Sequence, residues 1–194
     1  MKVIFRRVEI EDIIIATLIL SLAFEIAFFG IETSPISFIF MYFISLLAVI
    51  TGFVGHEMTH KITAFRYNYF AEFRRWNLGL LIAFITSFFH IVFAAPGATN
   101  IYGYLDNKTN GKIAASGPIY NIILGIFFIS FSFLNIPFSN ILTFIGTINI
   151  WLAFFNLWPI PPLDGSKVIK WNIPIYLLLI VISGILTLKF IFGL

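Results

Sequence analysis

The amino-acid sequence predicts an all-α polytopic membrane protein with about five to six transmembrane helices and a re-entrant segment after the second. Three observations predict it. The chain is 60% hydrophobic and only 11% charged, with a mean hydropathy of +1.00, so a soluble fold would have too little polar surface to cover it. Its apolar residues fall in runs close to the roughly 20 residues that a helix needs to cross the hydrocarbon. Its few charges gather in short clusters between those runs, which leaves no stretch for a separate soluble core. A single membrane-embedded domain over residues 1–194 is expected, with no room for an appended regulatory domain.

The first run, residues 13–29, follows a basic start at Lys2, Arg6 and Arg7. Glu9, Glu11 and Asp12 intervene, and no small-x-small cleavage pattern follows, so the run reads as a retained span rather than a signal peptide. Glu25 inside it is costly in lipid unless it faces the bundle, an interface or water, and a packing or interfacial role is expected. The second run is 36–54 and leads into a cluster of titratable residues. The third, 78–95, contains His90, for which packing or a hydrogen bond is expected. Runs 113–134, 141–158 and 173–192 complete the set, separated by turn signals at 30–35, 96–111, 135–140 and 159–174. The 25 phenylalanines are lipid-facing and core material, and Trp76, Trp158 and Trp171 near run ends read as interface anchors.

Orientation follows from the cations. Lys2, Arg6 and Arg7 put the N-terminus in the cytosol, the first loop with Glu32 and no cation lies outside, and Lys61, Arg66, Arg74 and Arg75 follow the returning second run. A full crossing by residues 78–95 would then put Lys108 and Lys112 outside, the uncharged 135–140 loop inside, and Lys167 and Lys170 outside, inverting the positive-inside rule three times. A hairpin that enters and leaves on the cytosolic side restores the rule, which leaves five full spans. The net charge of +3 is thereby topological, and nucleic-acid binding is not expected.

With no cysteines, any metal must be held by His and carboxylate ligands. Two of the three histidines lie in Gly55-His56-Glu57-Met58-Thr59-His60, an H-E-x-x-H pattern at the inner end of the second run. Four residues apart on a helix, His56 and His60 present both imidazoles to one metal ion, with Glu57 beside the metal rather than on it. In metalloproteases with this motif the glutamate takes the proton of the attacking water. The bland alternative is two interfacial histidines and a snorkelling glutamate. A catalytic zinc site needs a third protein ligand. Of the three aspartates, Asp12 precedes the first run and Asp106 lies in a polar turn. Asp164 follows the fifth run in Asn156-Leu157-Trp158-Pro159-Ile160-Pro161-Pro162-Leu163-Asp164-Gly165, whose prolines deny it a regular helix and let it turn back toward the bundle. By itself Asp-Gly is also an ordinary turn, so the third ligand stays open on these grounds.

A helical H-E-x-x-H followed about a hundred residues later by N-x-x-P-x-P-P-L-D-G resembles the paired signature of the site-2 protease family. Ala95-Pro96-Gly97-Ala98 and Ser116-Gly117-Pro118-Ile119-Tyr120-Asn121 are similar to further family segments, so the resemblance covers most of residues 53–166. Thr59 and Ser166 stand where that family often has glycine. The resemblance implies that His56, His60 and Asp164 bind one Zn2+ per chain, that Glu57 is the general base, and that a re-entrant element follows the H-E-x-x-H helix. It also favours a substrate or oxyanion contact for Asn156, and Asn121 is held for the same role, with interhelical hydrogen bonding as the alternative for both.

The expected function is intramembrane hydrolysis of peptide bonds in a membrane-spanning protein substrate, in the multi-pass context of a prokaryotic cell membrane, with the active site toward the cytosol. A helical substrate must unwind before its carbonyl is accessible, and the extended segment could pair with an edge strand of the hairpin. The alternative is a non-enzymatic membrane protein, either a metal transporter or an inactive protease relative. A transporter would carry ionisable groups at several depths, whereas here they gather at one level.

Overall fold

In lipid no water satisfies a backbone amide, and an apolar run of about 20 residues pairs its own amides by folding as a helix. The computed structural model describes residues 3–31, 34–92, 96–134 and 136–191. Lys2, Glu32, Ala95, Asn135 and Phe192, which carry part of the charge count, the turns and the run ends above, lie outside them. Among the described residues five helices are long and apolar enough to cross a membrane. They are α1 (Arg7–Phe29), a continuous pair of α2 (Pro35–Val49) and α3 (Gly55–Arg66), α5 (Asn107–Ser132), α6 (Ser139–Asn156) and α8 (Ile173–Ile191). A short α7 (Gly165–Trp171) precedes α8. Between α2 and α3 the helix widens into a π-helical turn, Ile50–Val54. Caps define the starts: Ser34 accepts from Ser37 N with Pro35 in the first turn, and Asp106 accepts from Thr109 N at 2.7 Å.

The third apolar run behaves differently. Its helix α4 (Asn77–Ser87) has 11 residues, about 16 Å of rise against a hydrocarbon core of about 30 Å. It is flanked by β1 (Phe70–Arg75) and β2 (Gly97–Tyr102), which pair antiparallel with Arg75 opposite Gly97. The chain therefore leaves β1 and returns beside its own starting point. The two-stranded sheet is an addition to the all-α class: the two extended pieces satisfy their backbone groups by pairing with each other.

A polar lock ties this hairpin to the bundle. Glu9 on α1 is fully buried and accepts from Lys61 Nζ on α3, also fully buried, at 2.6 Å and from Phe73 N on β1 at 3.0 Å. Such a pair is tolerated because each charge meets its opposite and the remaining lone pair meets an amide. Arg74 and Arg75 reach Asp12 on α1 at 3.6 and 3.3 Å, and Arg6 reaches Glu72 at 3.7 Å. Elsewhere α5 and α6 approach through glycine. A Cβ on Gly125 would lie 2.9 Å from Gly146 O, and one on Gly146 would lie 2.9 Å from Gly125 O, the small-residue contact expected between helices in lipid. Glu25 faces the bundle as expected, buried and with neither carboxylate oxygen hydrogen-bonded among the described residues. His90 Nδ1 donates to Ala27 O at 2.9 Å.

Candidate metal centre

His56, Glu57 and His60 occupy the first turns of α3, directly after the π-helical turn. Their spacing puts both imidazoles on one face, with ring centroids 4.6 Å apart and planes nearly perpendicular. Asp164 arrives from the proline-rich loop after α6, at the residue before α7. Its Oδ2 lies 3.1 Å from His56 Nε2 and 3.0 Å from His60 Nε2, and the two Nε2 atoms are 2.9 Å apart. The three side chains are buried, and their three atoms form a near-equilateral triangle.

The opposite ring nitrogens fix what those atoms are. His60 Nδ1 is 2.8 Å from the Ile113 carbonyl, which can only accept, so the proton is on Nδ1. His56 Nδ1 is 2.6 Å from Asn121 Oδ1. Asn121 Nδ2 donates to Gly52 O at 3.0 Å and to Asn149 Oδ1 at 3.0 Å, which settles which end of the amide is oxygen. His56 therefore also carries its proton on Nδ1. A neutral imidazole has a single N–H, so both Nε2 lone pairs point at each other and at the Asp164 carboxylate. Three acceptors at about 3 Å repel unless positive charge lies among them. Protons would bridge the edges to Asp164 but leave the His56–His60 edge between like groups, whereas one cation contacts all three. Tetrahedral zinc with bonds of about 2.0–2.1 Å separates its ligand atoms by about 3.3 Å, within a few tenths of the triangle. A His, His, Asp donor set is one that zinc accepts, so the group is consistent with zinc. The other Asp164 oxygen is 3.4 Å from Lys167 Nζ.

Helix α5 lies against the rings. A Cβ at Gly117 would fall 2.6 Å from His60 Nε2 and 2.7 Å from His56 Nε2, so only glycine lets the helix pass there. Glu57 stands beside the triangle, and its Oε2 accepts from Thr99 N at 2.8 Å and Thr99 Oγ1 at 2.7 Å. The phase of β2 allows this: Thr99 sits opposite Phe73, whose own amide turns away to Glu9, so the Thr99 amide points outward from the sheet toward α3. One cavity is lined by His56, Glu57, His60 and Asp164 together with β2 residues Gly97 and Thr99. Asn156 also lines it, with Nδ2 donating to Leu152 O. Asn121 is not brought there. It is fully buried behind His56 and both its N–H groups are committed to Gly52 O and Asn149 Oδ1, the interhelical hydrogen bonding weighed above as the alternative.

Sequence reasoning missed Thr99, Asn149 and the reason for Gly117. Asn149 carried a usable signal, as an amide in the middle of an apolar run. Thr99 carried none, because nothing in a threonine's neighbours indicates which carboxylate it will meet.

Two comparisons with known proteins bear on this geometry. The family model described as Peptidase family M50 matches residues 132–175, which contain the loop carrying Asp164. A protein of Methanocaldococcus jannaschii, provisionally named a zinc metalloprotease, is 40% identical over 174 residues, covering 87% of this chain and 86% of its own length. No solved structure matches the chain.

Proposed function

This chain belongs to peptidase family M50, the site-2 protease family, and from that premise we propose that it is an intramembrane zinc metalloprotease cleaving membrane-spanning proteins. The observation that carries the reading is the convergence of two Nε2 lone pairs and one carboxylate oxygen, with Glu57 on the open side. In this reading His56, His60 and Asp164 hold the ion. Zinc bound there supplies Lewis acidity toward a peptide carbonyl and toward the attacking water. Glu57 takes that water's proton through its carboxylate, and Thr99 keeps the carboxylate turned into the cavity. Asn156, on the cavity wall, offers an amide to the scissile segment or to the charge that develops on it.

The substrate strand is assigned to β2. Among the described residues this strand is paired on one edge, and its other edge borders Glu57 and the cavity, so an unwound segment adding there would be held by main-chain hydrogen bonds beside the base. The hairpin containing α4 is read as re-entrant from the cytosolic side. The supporting facts are the short helix and the adjacency of Arg75 and Gly97. In a Lys108→Cys variant, a membrane-impermeant thiol reagent should label only from the cytosolic face of cell-derived vesicles; labelling from the outer face would remove the hairpin.

The direct test uses purified protein in detergent or liposomes. Elemental analysis should find about one zinc per chain, and cleavage of a membrane-spanning peptide should stop with a chelator and return on adding zinc. Cleavage that persists after zinc has been stripped, or a folded protein that takes up no zinc, would refute the reading.

A further inference from the structure

We propose that Asn149, on α6, is a positioning residue for the metal: acting through Asn121, it holds His56 in the tautomer whose Nε2 is free to bind. The proposal rests on the zinc reading above. Asn149 is fully buried and touches neither the triangle nor the cavity. Its amide orientation is set by backbone. Nδ2 donates to Ile145 O at 2.9 Å and lies 3.4 Å from Thr51 Oγ1, which already donates to Leu47 O and so accepts here. Oδ1 is thereby turned to Asn121 and accepts one of its N–H groups, while Gly52 O in the π-helical turn accepts the other. With both donors drawn that way, Asn121 presents its oxygen to His56 Nδ1. The chain of bonds has one direction from end to end, and it begins at carbonyls that cannot reverse.

Remove the Asn149 oxygen and one Asn121 N–H loses its partner. Gly52 O alone then opposes a half-turn of the amide, which would point Nδ2 at His56 and force the ring proton onto Nε2, the nitrogen that faces the ion. An acceptor behind a metal-binding histidine both fixes its tautomer and raises its basicity. Two features of the fold serve this contact. Gly52 lets α6 close in, since a Cβ there would lie 2.7 Å from Leu152 Cδ1 and 3.7 Å from the Asn149 amide. The wider turn at Ile50–Val54 presents Gly52 O to a side chain of another helix, in keeping with the frequent placement of such turns next to functional groups.

The test is titration of the metal-free full chain in detergent with Co2+, followed by its d–d absorption, with zinc competition for affinity. Asn149→Leu should weaken binding about tenfold, the order found when a partner behind a ligand is lost. Asn149→Asp keeps an oxygen facing Asn121 and should bind close to wild type. In an Asn121→Leu background, adding Asn149→Leu should cost nothing further, because the path through Asn121 is already cut. Asn149→Ala serves if the leucine variant does not fold. Wild-type affinity in the leucine or alanine variant, an aspartate variant as weak as leucine, or additive losses in the double variant would each overturn the proposal. So would a failure of every variant to fold, which would assign Asn149 to the fold alone. If wild type itself takes up no Co2+ or zinc, the zinc reading falls and this inference with it; wild type that binds beside an unaffected leucine variant removes this inference only.

Discussion

Glu57→Gln should leave zinc content and affinity close to wild type while lowering turnover by about 10²–10⁴-fold, the usual worth of a positioned general base. The two halves of this expectation have separate causes. Zinc is spared because Glu57 is not a corner of the triangle formed by His56, His60 and Asp164. Turnover falls because an amide has no basic oxygen for the proton of the attacking water. The isosteric swap also keeps an oxygen that can accept from Thr99 N, so β2 should stay in place and the loss belongs to chemistry rather than to a displaced strand. The measurement is cleavage rate per zinc-loaded molecule on a membrane-spanning peptide. Equal rates for variant and wild type would take the base away from Glu57, and parallel loss of zinc and activity would make it a ligand or a structural prop.

How much of this was legible beforehand varies with the range of the interaction. His56 and His60 were legible because both sit on one helix, and the period of a helix turns a spacing of four into a shared face. Asp164 was less so: Asp-Gly after a proline-rich stretch is as often a turn as a ligand, and it took the paired motif, rather than any spacing, to join it to residues more than a hundred positions away. The helical spans followed from run length. An edge strand in the hairpin was expected, but its place was not legible, since Phe70–Arg75 buries Glu72 together with Ala71 and Phe73 and shows no clean alternation of apolar and polar residues. Its trace in the sequence was indirect, a charge count that a full crossing by residues 78–95 would invert. Asn121 stayed open between a substrate contact and an interhelical hydrogen bond for a related reason. A polar residue in an apolar run tells that it needs a partner, but whether that partner is a substrate or a ring nitrogen depends on how α5 crosses α3.

Gly117→Ala should divide the two properties that most substitutions change together. Alanine is the better helix former by about 1 kcal/mol, which offsets the bonds to Ile113 O and Asn121 Oδ1 that the imidazoles of the metal-free protein give up in turning away from the new methyl, so its stability should stay near wild type. Zinc binding demands the opposite: both rings must sit where that methyl would lie 2.6 Å from one Nε2 and 2.7 Å from the other. The helix cannot yield, because Ile113 O holds His60, Asn121 holds His56, and Gly125 lies against Gly146. Overpacking of this kind costs about 1–3 kcal/mol, which is roughly 5- to 150-fold in affinity at 1.4 kcal/mol per decade. The readouts are a thermal midpoint without metal and a zinc competition titration. A midpoint that holds while affinity falls ties Gly117 to the close passage of α5 over the histidines, and unchanged affinity would mean that the helix does not lie against the rings when the ion is bound.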